Sequence, residues 1–258
     1  MLNTYIVLRQ SPNWGSISYR DFRKQSREFC TLVGLPAEQV NMSVDVWNRT
    51  LKRSFFDVRQ EIKELALANF ASVENARILN GTDVITSVNL EEGFYIFTDD
   101  DDWLHPQIAN LLSKVDNSQQ ACGVVWGSVA FGAYKKMIIR LRKADGFCYT
   151  NNYAITGKYL KQSVENYHEV FQHGSANSVL ARDGAKVINE YWSVTNKTPA
   201  STVYMKDVFK DDFSSALLVG AIEDYLQRCQ HIDAEIDSSL RWARPLMYEM
   251  VRICSELL

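Results

Sequence analysis

The feature that most limits what this chain can fold into is the run Gly93-Phe94-Tyr95-Ile96-Phe97-Thr98, which leads without a break into Asp99-Asp100-Asp101-Asp102. A short apolar, aromatic-rich run behind a glycine reads as a buried central strand. Pro106 then opens a helical pattern through Ile108, Leu111, Leu112 and Val115, so the acids fall between the carboxyl end of a strand and the start of a helix. In open α/β sheets this is the end at which ligands bind. Four adjacent carboxylates repel one another unless positive charge sits among them, and a divalent cation would supply that charge.

Side chains on an extended segment alternate, so Asp99 and Asp101 are expected on one face with Cα atoms roughly 6–7 Å apart. Asp100 and Asp102 are expected on the other. The first pair is the candidate for a metal ion and for the ribose and phosphates of a nucleotide; the second pair caps or braces. A solvated acidic turn that caps the following helix is the plain alternative, although capping takes one carboxylate.

The 258 residues, 46% of them hydrophobic, suffice for one large domain or two small ones. One is expected: an α/β domain over residues 1–213, with C-terminal helices over 214–258 packed on it. Thr4 to Leu8 reads as a first central strand ending at Arg9-Gln10, and Ser18 with Asp21 as the start of a helix with Phe22, Phe29 and Val33 on one face. Arg20, Arg23, Lys24 and Arg27 make that helix basic, as a solvated outer face or else an anion site. Met42 to Trp47 is assigned a second strand, and Ser54 opens a helix through Val58, Ile62, Leu65 and Ala66. Strand, helix, strand, helix and acidic strand is the order of a parallel sheet with right-handed crossovers.

Farther on, residues 121–132 and 136–141 are two β-rich runs suited to a hairpin, with Gly127 and Gly132 marking bulges or close backbone approach. Asp183 opens a helix bearing Val187, Ile188, Tyr191 and Trp192, then a polar loop over 195–201 and a short strand over 202–205. Helices follow from Ser214 through Tyr225 and from Ser238 to the end, the last broken or kinked at Pro245. The expected fold is α/β, with a mixed, mostly parallel sheet flanked by helices, the Phe94–Thr98 strand near its centre, and a helical C-terminus.

A net charge of −3 argues against a general nucleic-acid binder. Cys30, Cys122, Cys148, Cys229 and Cys254 are scattered, odd in number and without a Cys-x-x-Cys pair, which is neither a disulfide framework nor a zinc site. The first residues lack a signal-peptide pattern, and no apolar run reaches the length of a membrane span. A cytoplasmic protein is expected, with peripheral membrane contact left open.

After the acids, Gly146 to Gly157 mixes strand residues with amides and hydroxyls. Asn151, Asn152 and Tyr153 suit the hydroxyls of a sugar, or else form a plain turn. His173, beside Gly174, Ser175 and Ala176, is a third metal ligand, a base, or an ordinary structural histidine. Glu169, Asp211 and Asp212 are the other candidates for a catalytic base.

On Tyr95-Ile96-Phe97-Thr98-Asp99-Asp100-Asp101-Asp102-Trp103-Leu104-His105-Pro106 the chain resembles the GT-A class of glycosyltransferases. The mark of that class is an apolar strand ending in Asp-x-Asp and followed by a helix. Within it, the arrangement is most similar to bacterial rhamnosyltransferase-like proteins of polysaccharide synthesis. The resemblance implies a Rossmann-like domain in which Asp99 and Asp101 hold Mg²⁺ or Mn²⁺ against the diphosphate of a nucleotide sugar. It also implies that the strand ending in Arg9 serves the donor nucleotide, and that the loop from Tyr149 to Gly157 faces a glycan or other hydroxyl acceptor. The Glu-Asp pair usual for the base of inverting members is absent from its place, where His168-Glu169 and His173 stand. The base and the stereochemical outcome therefore stay open.

Three rivals share parts of the pattern. A haloacid-dehalogenase-like phosphatase also places Asp-x-Asp after an apolar strand, but its motif continues with Gly-Thr or Gly-Val, where this chain has Asp102-Trp103. A nucleotidyltransferase would use paired acids for in-line phosphoryl chemistry. A non-catalytic glycan- or nucleotide-binding domain keeps the fold without the reaction.

Overall fold

The computed structural model describes residues 3–9, 13–22, 36–81, 90–115, 122–132, 137–144, 151–162, 176, 180, 182–201 and 214–258. Its centre is one sheet of eight strands: β1 (Asn3–Arg9), β2 (Ala76–Asn80), β3 (Gly93–Asp99), β4 (Trp103–Leu104), β5 (Gly123–Phe131), β6 (Ile139–Arg142), β7 (Tyr153–Thr156) and β8 (Lys186–Asn196). They lie in the order β2-β1-β3-β7-β5-β8-β4, with β6 also paired to β5.

The apolar run before the acids is β3, all of whose residues are buried except Asp99, which is half-buried. A strand covered on both faces has no solvent side to mark with polar residues, which is why it reads as an unbroken apolar stretch. It lies between β1, to which it is parallel, and β7, to which it is antiparallel. The ladders β1·β2 and β1·β3 are parallel and hold five and seven residue pairs. The antiparallel ladders β3·β7, β5·β7 and β4·β8 hold three, three and two. The α/β class and the mixed sheet are thus as expected, with β7 reversed between β3 and β5 and the short β4 reversed against β8.

Close approach explains one glycine of β5 and backbone conformation another just past its end. A Cβ on Gly123 would lie 2.1 Å from the main-chain oxygen of Ala154 in β7, so the β5·β7 pair closes only over a bare Cα. Gly132 has φ +82, a left-handed conformation natural to glycine, and takes the chain out of β5.

Three local readings are corrected. Met42–Trp47 is part of a helix, α1 (Ala37–Thr50), not a strand. Val40, Ser43, Val44 and Trp47 are buried at helical spacing while Met42 is 46% exposed, so the longer window obeys a period of 3.6 rather than 2. The parallel strand expected there is supplied by β2, at the edge of the sheet, where Ile78 is exposed. The helix expected to carry Val187, Ile188, Tyr191 and Trp192 is β8, which also takes up Thr195 and Asn196 from the expected loop. Its first half is largely exposed and its second half buried on both faces, so it shows no strand alternation. Pro245 does not kink a helix but sits in the first turn of the last one, α7 (Arg244–Ser255), where no intrahelical N–H is lost.

The helices between are α2 (Phe55–Ala71), α3 (Ile108–Ser113), α4 (Gly157–Gln162), α5 (Ser215–Cys229) and α6 (Ile232–Glu235). By compactness the chain forms two units. The first comprises Met1–Gln10, Ala66–Val129 and Leu141–Thr195, and its core includes Val7, Phe97, Val125, Tyr153, Ile155 and Leu160. The second comprises Ser11–Leu65, Ala130–Arg140 and Asn196–Leu258 and so contains the C-terminal helices. Aromatic packing organises it: Trp14 meets Phe55 edge-on at 5.7 Å and stacks on Phe56 at 5.9 Å, and Trp47 meets Phe55 at 5.6 Å.

The C-terminal helices follow ordinary capping rules. Ser214 Oγ accepts the N–H of Leu217 at 3.2 Å, closing the first turn of α5. Ser214→Ala is expected to lower stability by about 1 kcal/mol, read as an earlier urea midpoint; an unmoved midpoint would show that solvent replaces the cap at no cost.

Candidate metal and ligand site

The parallel register of β1 and β3, which starts at Asn3 opposite Gly93, ends with Arg9 opposite Asp99. That register delivers a cation to the first acid. Arg9 donates from Nε to Asp99 Oδ1 and from Nη2 to Asp99 Oδ2, both at 2.6 Å. This is the two-pronged guanidinium–carboxylate geometry, stronger and more directional than a point-charge contact. Burial alone would lower the Arg9 pKa, but Asp99 first, with Tyr153 and Asp102 behind it, more than reverses this and leaves the guanidinium above its ordinary value.

Beyond Asp99 the strand ends. Asp100 and Asp101 form a turn, and the Asp102 N–H donates back to the Asp99 carbonyl at 3.4 Å. The expected alternation of faces fails here, because it holds only for extended backbone. The turn swings Asp102 in beside Asp99 and Asp101, and ligand oxygens of these three lie within 4.8 Å of one another. Asp99 and Asp101 are half-buried and Asp102 is buried. Asp100, also buried, is not one of the trio.

Asp102 is fixed from the far side of the sequence. The Asn151 amide nitrogen donates to Asp102 Oδ2 at 2.9 Å and to the Val194 carbonyl at 3.0 Å, while its main-chain N–H donates to the Phe97 carbonyl at 2.9 Å. One residue therefore ties the acidic strand, the acidic turn and β8 together. Asn151 has φ +75, a left-handed conformation that asparagine tolerates better than most residues. It is fully buried, and its Oδ1 has no hydrogen-bond partner.

Of the residues expected to face an acceptor, Asn151 reaches the acids by its hydrogen bond to Asp102. Asn152 is buried and donates to the Trp126 carbonyl at 2.9 Å; Tyr153 is buried in β7 and stacks on Phe97 at 5.9 Å. Glu169, His173, Asp211 and Asp212 lie outside the described residues, as do His168, the basic residues Arg23, Lys24 and Arg27, and the strand expected at 202–205. The sequence reading did not place Asp102 with the other two acids or Asn151 against Asp102. His105, just past the acids, accepts the Gln107 N–H on Nδ1 at 3.0 Å, and burial lowers its pKa.

Carboxylate oxygens in this number suit a hard divalent cation such as Mg²⁺ or Mn²⁺ rather than a thiophilic metal. The buried Oδ1 of Asn151, without a donor and on the side chain whose nitrogen holds Asp102, fits the same chemistry. Thiolate ligation has no support among the described cysteines: Cys122, Cys229 and Cys254 are buried, and burial pushes the Cys122 and Cys229 thiols up to about 11. No helix among the described residues is long and apolar enough to cross a membrane. No family model, no curated protein and no solved structure matches the chain.

Proposed function

We propose that the chain is a metal-dependent glycosyltransferase that moves a sugar from a nucleotide-diphosphate donor to a hydroxyl of a glycan or similar acceptor, in cytoplasmic synthesis of bacterial surface polysaccharide. The observation that carries this reading is the Asp99, Asp101 and Asp102 trio at the carboxyl end of a buried central strand, with the Arg9 fork beside it. Mg²⁺ or Mn²⁺ held by Asp99 and Asp101 would supply Lewis-acid stabilisation of the charge that develops on a departing diphosphate. Arg9 orients Asp99 and brings a guanidinium whose fork matches phosphate as well as carboxylate. Asn151, Asn152 and Tyr153 form the buried backing of the acceptor side. The base that takes the acceptor proton is drawn from Glu169, His173, Asp211 and Asp212, with His173 the alternative third metal ligand.

A phosphatase reading would make Asp99 the nucleophile, but Asp102-Trp103 stand where that family's motif continues with Gly-Thr or Gly-Val. A nucleotidyltransferase and a non-catalytic binding domain differ from the proposal in their products. Thermal unfolding with a panel of nucleoside diphosphates, with and without Mn²⁺, is the first test. Saturating binding is expected to raise the melting temperature by roughly 5–10 °C, and only with the metal present. Incubation with nucleotide sugars and candidate acceptors should then release nucleoside diphosphate. Release of pyrophosphate or free phosphate would replace the transferase with one of its rivals, and binding without turnover would leave a binding domain.

A further inference from the structure

We propose that Asn151 is a working part of the cation site: its amide nitrogen fixes Asp102 as the third carboxylate ligand, and its side-chain oxygen is a fourth oxygen ligand for a hard divalent cation. The proposal rests on the cation half of the reading above and not on the sugar half.

The orientation of the amide is settled by its neighbours. Both acceptors on its nitrogen side, Asp102 Oδ2 and the Val194 carbonyl, demand a donor, so turning the amide over would set an acceptor against two acceptors. With one oxygen held this way, the buried Asp102 carboxylate cannot rotate out of reach of Asp99 and Asp101. The other end of the same rigid group is Oδ1, buried and without a partner. From the amide bond lengths it lies about 2.2 Å from the nitrogen. It therefore lies within about 5 Å of Asp102 Oδ2. An amide carbonyl is an ordinary ligand for Mg²⁺, Mn²⁺ or Ca²⁺ alongside carboxylates, and a cation at the trio would satisfy an oxygen that the protein leaves without a donor.

The backbone gives the test its control. At φ +75 glycine is at ease, so Asn151→Gly removes the amide and keeps the conformation. Mn²⁺ would be titrated into the full chain by calorimetry, with the bound ion followed by electron paramagnetic resonance. Asn151→Gly is expected to weaken Mn²⁺ binding about 10- to 100-fold and also to lower the metal-free melting temperature, since two buried hydrogen bonds leave with the amide. A purely structural asparagine would lower the melting temperature and leave the affinity unchanged, and that result overturns the proposal. So does a wild-type chain that binds no Mn²⁺. Should Asn151→Gly fail to fold, Asp102→Asn provides the second reading: it must lose at least tenfold in Mn²⁺ affinity, and wild-type affinity overturns the proposal. Weakened Mn²⁺ binding in Asn151→Gly without any sugar transfer by wild type keeps this inference and removes the transferase. Sugar transfer with unchanged Mn²⁺ affinity in that variant does the opposite.

Discussion

Asp101→Ala is expected to remove nearly all Mn²⁺-dependent nucleotide binding while leaving the fold intact. Asp101 sits half-buried in the turn that closes the trio, so its loss empties no core position. Losing an outer partner of a metal ligand typically costs 10–100-fold in affinity, and losing the ligand itself should cost more, at least about 100-fold or roughly 3 kcal/mol. Isothermal calorimetry with Mn²⁺ and a nucleoside diphosphate measures it. Unchanged affinity would reduce the acids to a solvated turn.

Gly123→Ala should show the largest loss of stability. The added methyl would stand 2.1 Å from the Ala154 oxygen and 3.2 Å from Ile155 Cα, both main-chain atoms of a strand flanked on each side. No side chain can swing aside to make room, so β5 and β7 must part. Overpacking in a well-filled core costs 1–3 kcal/mol, and a clash against backbone belongs at about 3 or above. The urea unfolding midpoint gives the answer, and a shift below about 1 kcal/mol would mean the two strands separate more easily than their ladder implies. Because Asn151 lies two residues before β7, the same substitution should also weaken Mn²⁺ binding.

The acidic strand was legible because burial on both faces leaves a plain apolar run, and Arg9 was legible as the end of a strand. Its pairing with Asp99 follows from the ladder register, which two strands 90 positions apart do not announce locally. Met42–Trp47 misled because Val44, Val46 and Trp47 are strand-loving residues; only the full span of α1 exposes their helical period. β2 offered little signal, being a five-residue edge strand reading Ala-Arg-Ile-Leu-Asn. The Asn151–Asp102 bond spans 49 positions and depends on a turn after Asp99 together with the β3·β7 pairing. The doublet Asn151-Asn152 ahead of a strand signals a turn; nothing in it names the carboxylate it will meet.

The Arg9 fork has a consequence for any ion the trio binds. A carboxylate has lone pairs for both, so a cation at Asp99 shares that acid with a guanidinium already seated there. Two like charges then face each other across one carboxylate, and their repulsion is subtracted from whatever affinity the ion shows.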